Sequence, residues 1–109
     1  NVWFDDKLQR LVYNVEDANY PLLSADAGVN QKTEIDPTQR TAKSSGRSPN
    51  NIQVSTFSDE LNIASNGKAK VFGVSVKDRG AISMAGHMGK AFWFSKKSGE
   101  FVTSEYYYD

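Results

Sequence analysis

Two cations two positions apart, Lys77 and Arg79, follow the run Val71-Phe72-Gly73-Val74-Ser75-Val76. A continuous apolar, β-branched stretch of this kind predicts a strand buried on both faces, as in a parallel sheet. The carboxyl edge of such a sheet is where ligands bind in open α/β folds. If extended geometry continues past Val76, a spacing of two puts both side chains on one side. Arg offers a planar fork of donors that matches two oxygens of a phosphate, and Lys adds a compact charge. A helix beginning near Gly80 would aim its free N–H groups at the same place. The pattern therefore predicts a clamp for an oxyanion or phosphate. The competing reading is a solvated charge cluster at a strand end, with Asp78 pairing locally. The clamp requires that Lys77 and Arg79 project together and that neither is buried against an internal acid.

Other chemistry is sparse. His87 is the only histidine and cysteine is absent, so disulfides, thiolate catalysis and Cys-ligated zinc are excluded. A lone imidazole makes neither a catalytic pair nor a zinc site in most arrangements, and His87 is expected to be a satisfied structural residue. The carboxylates Asp5, Asp6, Glu16, Asp17, Asp26 and Asp36 lack calcium-loop spacing. Gly86, Gly89 and Gly99 form no phosphate-binding loop with a following Lys-Ser or Lys-Thr. Trp93 and Tyr106-Tyr107-Tyr108 offer flat faces for stacking. Without a basic groove, packing or an interface is the expected role.

The elements that must carry these residues belong to a short chain. It has 109 residues, 13 Lys plus Arg against 13 Asp plus Glu, and 39% apolar residues, which allows one small core at most. The neutral balance excludes bulk electrostatic binding to nucleic acid or anionic membrane. No apolar run approaches the roughly 18 residues of a membrane span. The chain opens at Asn1-Val2-Trp3, with no initiator Met or signal peptide, and the whole of 1–109 is expected to be an internal fragment of a larger domain.

Two β-hairpins are predicted, one over 2–15 and one over 91–104 with its turn at Lys96-Lys97-Ser98-Gly99. A helix is predicted over 56–65, with Thr56 as cap, Asp59 as an imperfect capping-box partner and Asn66-Gly67 as its stop. Its apolar positions Val54, Phe57, Leu61 and Ala64 share one face. Ala81–Ala85 suits a second, short helix ended by Gly86. Gly73 marks close approach by another backbone. Residues 24–50 contain only five apolar side chains and are broken by Gly28, Pro37, Gly46 and Pro49. A long flexible or surface loop is expected there, lying on another part of a larger protein or disordered. The class is α/β, with the buried strand 71–76, short helices and two hairpins.

Several of these stretches carry a resemblance. Asn1-Val2-Trp3-Phe4-Asp5 with Leu11-Val12-Tyr13-Asn14-Val15-Glu16-Asp17 resembles the segment after the nucleophile helix of bacterial alkaline phosphatases. These belong to the type I phosphodiesterase/nucleotide pyrophosphatase branch of the alkaline phosphatase superfamily. Ser48-Pro49-Asn50-Asn51 through Asp59-Glu60-Leu61 is similar to another stretch of that family. The fullest match is Lys70–Ile82 followed by Ala85-Gly86-His87 and Ala91-Phe92-Trp93-Phe94. The resemblance covers most of the chain outside 24–46. It implies a fragment of a three-layer alkaline-phosphatase-like fold and a parent enzyme with two zinc ions and a Thr or Ser nucleophile. It further implies that Asn1, Lys77 and Arg79 contact the nonbridging phosphoryl oxygens of a phosphate ester, which suits a monoester. The family's nucleophile and zinc ligands match no residue here, so no metal site and no turnover are expected of the fragment alone.

The leading expectation is thus a segment of a periplasmic or secreted zinc-dependent phosphomonoesterase. Alternatives are a phosphodiesterase or nucleotide pyrophosphatase of the same superfamily, or a noncatalytic binding module presenting its aromatic hairpins. The expected partners are the rest of the catalytic domain and, for a free strand edge, a second copy of the fragment.

Overall fold

The computed structural model describes residues 2–24 and 27–108. The first hairpin pairs β1 (Val2–Asp5) with β2 (Arg10–Tyr13), from Val2 opposite Tyr13 to Asp5 opposite Arg10. The Asp5 carboxylate accepts from the amides of Lys7 and Leu8 and closes the turn, where Gln9 adopts a positive φ of 55°. Tyr13 at the hairpin's end is fully buried.

A second sheet runs in the order β3-β4-β5. β3 (Phe72–Ser75) pairs parallel with β4 (Lys90–Ser95), and β4 pairs antiparallel with β5 (Glu100–Val102) across the predicted turn. Parallel neighbours need a crossover, here α2 (Asp78–Ala85). The helix buries Ala81, Ile82 and Ala85 against the alternate β4 residues Ala91 and Trp93. Gly73 permits that approach: a methyl group there would stand 2.4 Å from the Ala81 carbonyl oxygen.

The expected burial of strand 71–76 on both faces is corrected. The strand spans 72–75 and lies at the sheet's edge, and Phe72 and Val74 are 61% and 63% exposed. An unbroken apolar run signals two covered faces, but within the described residues α2 covers one. Of the three layers expected, this segment supplies the sheet and one helical layer.

α1 (Phe57–Ala64) has the reciprocal capping box: Asp59 N donates to Thr56 Oγ1, and Thr56 N donates to Asp59 Oδ2. Its end is a Schellman turn, with Gly67 N on the Asn62 carbonyl and Asn66 N on that of Ile63, Asn66 and Gly67 both at positive φ. The apolar residues Phe57, Leu61 and Ile63 point outward, and Asp59 is the residue α1 buries.

Residues 27–50 are irregular apart from one 3-10 turn at Gln39–Thr41. They are nevertheless attached. The backbones of Arg47 and Glu16 form an isolated antiparallel β-bridge, Ser48 N donates to the Val15 carbonyl, and Ala27 and Ala42 enter the core. The Ser95 hydroxyl donates to the Ala27 carbonyl at 2.9 Å.

Candidate functional site

The helix after β3 begins earlier than its sequence suggests. Lys77 is the N-cap of α2, in extended conformation, and Asp78 is its first residue, two positions before Gly80. Lys77 and Arg79 thus meet through the strand-to-helix turn rather than through a continued pleat. Lys77 Nζ donates to Asp36 Oδ2 at 2.6 Å, and Arg79 Nη1 donates to the same oxygen at 3.2 Å. The two cations project together, which meets one of the two conditions set for the clamp; against the other, both pair with a mostly buried acid, Asp36, while staying partly exposed themselves. The acid they meet was not anticipated.

Asp36 is held by its own turn. Thr38 N and Thr38 Oγ1 donate to Asp36 Oδ1 at 2.9 and 2.6 Å, the turn that Asp-x-Thr sequences make. Thr38 Oγ1 also accepts from Arg79 Nη1 at 2.9 Å. The Lys77 ammonium, then the Thr38 hydroxyl, keep the Asp36 carboxyl well below the usual carboxylate range despite its burial. The carboxylate is 10% exposed, whereas Lys77 and Arg79 retain 44% and 23% of their side-chain exposure. Both cations are therefore paired yet reachable from solvent.

Asp78, between them, turns the other way. Its Oδ2 accepts from Arg47 Nε at 2.7 Å and its Oδ1 from the Tyr13 hydroxyl at 2.6 Å. In the competing reading Asp78 pairs locally; its Oδ1 does accept from the adjacent Arg79 amide at 2.7 Å, but its side-chain partners lie 31 and 65 residues away. Arg47 Nη1 satisfies itself on the carbonyls of Ser44 and Gly46, and its guanidinium stacks 5.3 Å from the Tyr13 ring centroid. Burial, then the Asp78 charge, push the Tyr13 phenol well above its ordinary range. This network fixes the start of α2 and thereby the bases of Lys77 and Arg79. A cavity of about 380 Å³ opens beside it, lined by Lys77, Asp78, Arg47, Trp93 and Phe94 among others.

His87 is a structural residue, as expected. Its Nδ1 lies 2.6 Å from Asp59 Oδ2 and its Nε2 2.8 Å from the Ile52 carbonyl oxygen, so two acceptors face the ring and favour the imidazolium. Asp59 raises the His87 pKa. Burial opposes ionisation of Asp59, but hydrogen bonds from His87, Thr56 and Met88 outweigh it and hold Asp59 at about 2. Trp93 and Tyr107 are buried and pack, while Tyr106 stacks edge-on against Tyr20 and Tyr107.

Asn1 lies outside the described residues. Asp36, Thr38 and Arg47 are the site residues that sequence reasoning missed. Asp36-Pro37-Thr38 signals a local turn, but no local pattern gives the 41-residue reach from Asp36 to Lys77. Among the described residues no group of three or more His, Cys, Asp or Glu side chains is arranged to hold a metal ion, and no helix there is long and apolar enough to cross a membrane.

No family model matches the chain. It is 36% identical over 108 residues to the alkaline phosphatase PhoV of Synechococcus elongatus and 38% identical over 109 residues to the alkaline phosphatase PafA of Elizabethkingia meningoseptica. Each alignment covers 98% of this chain and 17% of the relative, so the chain spans about a sixth of their length. A protein of Myroides odoratus named calcium-transporting ATPase is 47% identical over 62 residues, 56% of this chain and 11% of its own. The crystal structure of wild-type PafA superposes with a TM-score of 0.77 at 35% identity, over all of this chain and 18% of that one. A PafA variant superposes with a TM-score of 0.76 at 33% identity, over 99% of this chain and 18% of its own; in it a threonine is changed to serine, and an asparagine, a lysine and an arginine to alanine, the last two standing two positions apart.

Proposed function

Starting from the premise that this chain is a segment of the alkaline phosphatase superfamily, we propose that it supplies the phosphoryl-oxygen clamp of an enzyme that hydrolyses phosphate monoesters. The observation that carries the reading is the meeting of Lys77 and Arg79, the N-cap and second residue of α2, at one oxygen beyond the carboxyl end of a parallel strand. A phosphoryl group in transfer spreads negative charge over its nonbridging oxygens, and fixed cationic donors aimed at those oxygens stabilise it more than the ground state. Arg79 contributes a fork and Lys77 a point charge. Asn1 completes the set by the resemblance of its flanking sequence.

Two zinc ions belong to this reading of the parent enzyme. The described residues bring no ligand cluster together, and the role assigned to the segment is confined to the nonbridging oxygens. The same kinship is the ground for placing the parent protein in the periplasm or outside the cell.

The test is kinetic. In the intact enzyme, Lys77→Ala and Arg79→Ala are each expected to lower kcat/KM for an aryl phosphate monoester at least about tenfold, roughly 1.4 kcal/mol of transition-state stabilisation. Unchanged rates in both would remove the clamp. A parallel assay with an aryl diester checks the substrate class, and a strong diester preference would replace the monoesterase reading with the diesterase one.

A further inference from the structure

We infer that Asp36 is a positioning residue, holding Lys77 and Arg79 as one preformed seat for a tetrahedral oxyanion. The inference rests on the clamp reading above and adds to it a residue from the long irregular segment.

A single oxygen, Asp36 Oδ2, receives both Lys77 Nζ and Arg79 Nη1. Two cations left without a shared counterion repel and drift apart in solvent. The carboxylate between them converts two mobile side chains into one fixed pair. Asp36 is itself anchored at three points. Oδ1 takes two donors from Thr38, and Asp36 N donates to Glu34 Oε1 at 2.9 Å. The same Glu34 oxygen accepts from Lys96 Nζ at 3.3 Å, in the turn between β4 and β5. The loop is thus tied to the sheet on one side and to the clamp on the other.

The donor count decides between holding and blocking. Asp36 and Thr38 both take Arg79 through Nη1. The Arg79 guanidinium also faces the Tyr13 hydroxyl, and Lys77 Nζ donates to Asp36 once of the three times it can. Asp36 and Thr38 thus occupy one nitrogen of the guanidinium, and an incoming oxyanion finds further ammonium protons on a half-exposed Lys77 while Asp36 stays in place. Holding the donors before substrate arrives means that little reorganisation remains in the transition state.

The experiment uses the intact enzyme and the variants Asp36→Ala, Asp36→Asn and Thr38→Val. It measures kcat and KM for an aryl phosphate monoester and inhibition by inorganic phosphate. Asp36→Ala is expected to lower kcat/KM about tenfold, mostly in kcat, as misplacement of transition-state donors does. Inorganic phosphate should inhibit several-fold more weakly, and Asp36→Asn and Thr38→Val should shift both readings less in the same direction. Added to Lys77→Ala/Arg79→Ala, Asp36→Ala should cost nothing further, because its effect runs through those two side chains. A purely structural role would add its loss in that background and overturn the inference. Higher kcat/KM with tighter phosphate inhibition would overturn it as well, by showing that the carboxylate blocks the seat; unchanged kinetics would do so too. If Asp36→Ala does not fold, Asp36→Asn and Thr38→Val carry the same comparison. Unchanged rates in Lys77→Ala and Arg79→Ala mark failure of the clamp itself, whereas losses there without loss at Asp36 mark failure of this inference alone.

Discussion

Lys77, Asp78 and Arg79 are consecutive, yet they belong to two different electrostatic regions. Asp78 faces inward to Arg47, with side-chain exposures of 4% and 3%. Lys77 and Arg79 face outward, 44% and 23% exposed, and share Asp36, itself 10% exposed. Desolvated charges must be fully satisfied or the chain pays heavily, and the inner pair is: Asp78 takes the Arg47 and Tyr13 donors plus the Arg79 amide, and Arg47 also reaches two carbonyls. Solvated charges contribute little to stability and remain able to exchange partners. The inner region therefore holds the backbone turn in place, and the outer one keeps its charge for a ligand. Both draw their partners from 27–50, so the segment that looks least structured in composition supplies a counter-charge to each.

This contrast predicts opposite effects for neighbouring substitutions. The largest loss of stability is expected for Arg47→Ala or Asp78→Ala, about 3–5 kcal/mol, because each leaves a buried charge without its partner. Denaturant unfolding of the intact protein measures it, and a loss under about 1 kcal/mol would erase the distinction between the regions. Tyr13→Phe removes one hydrogen bond to the Asp78 carboxylate and should cost about 1.5–3 kcal/mol. Lys77→Ala and Arg79→Ala should change stability by less than about 1 kcal/mol while producing the rate losses given above. A large stability loss with little change in rate would move the outer pair into the structural class.

The His87–Asp59 contact gives a third, pH-dependent standard. His87 is raised above its ordinary 6.5, so its contribution is complete below that pH and fades as pH rises through the folded value. Asp59 is depressed from 3.8 to about 2, so its contribution is complete above 3.8 and fades as pH falls through about 2. The pair should therefore stabilise most between pH 3.8 and 6.5. Comparing melting temperatures of the wild type and His87→Gln across pH tests this; the difference between them should shrink on the alkaline side, and a constant difference would show that the ion pair does not carry it.

Local rules reached far into this molecule. The turn at Lys96-Lys97-Ser98-Gly99, the Thr56–Asp59 box and the Asn66-Gly67 stop all form as written, because each is decided by residues within a few positions of one another. Gly73 likewise announced a close backbone, now seen as α2. Long-range pairing was not legible in the same way. The strand at 72–75 reads as doubly buried because side-chain type records which faces are apolar, not which neighbours arrive to cover them. The outward Phe57, Leu61 and Ile63 of α1 make the same point.

The amino-acid order by itself determined the α/β elements, the position of two cations beside a helix start, and the structural standing of a lone histidine. Tertiary structure alone decided that Asp36 and Thr38 sit against those cations and that Arg47 sits against Asp78. The reason is physical: caps and turns are closed by neighbours in the chain, whereas a charge takes its partner from whatever segment the packed core brings within about 3 Å.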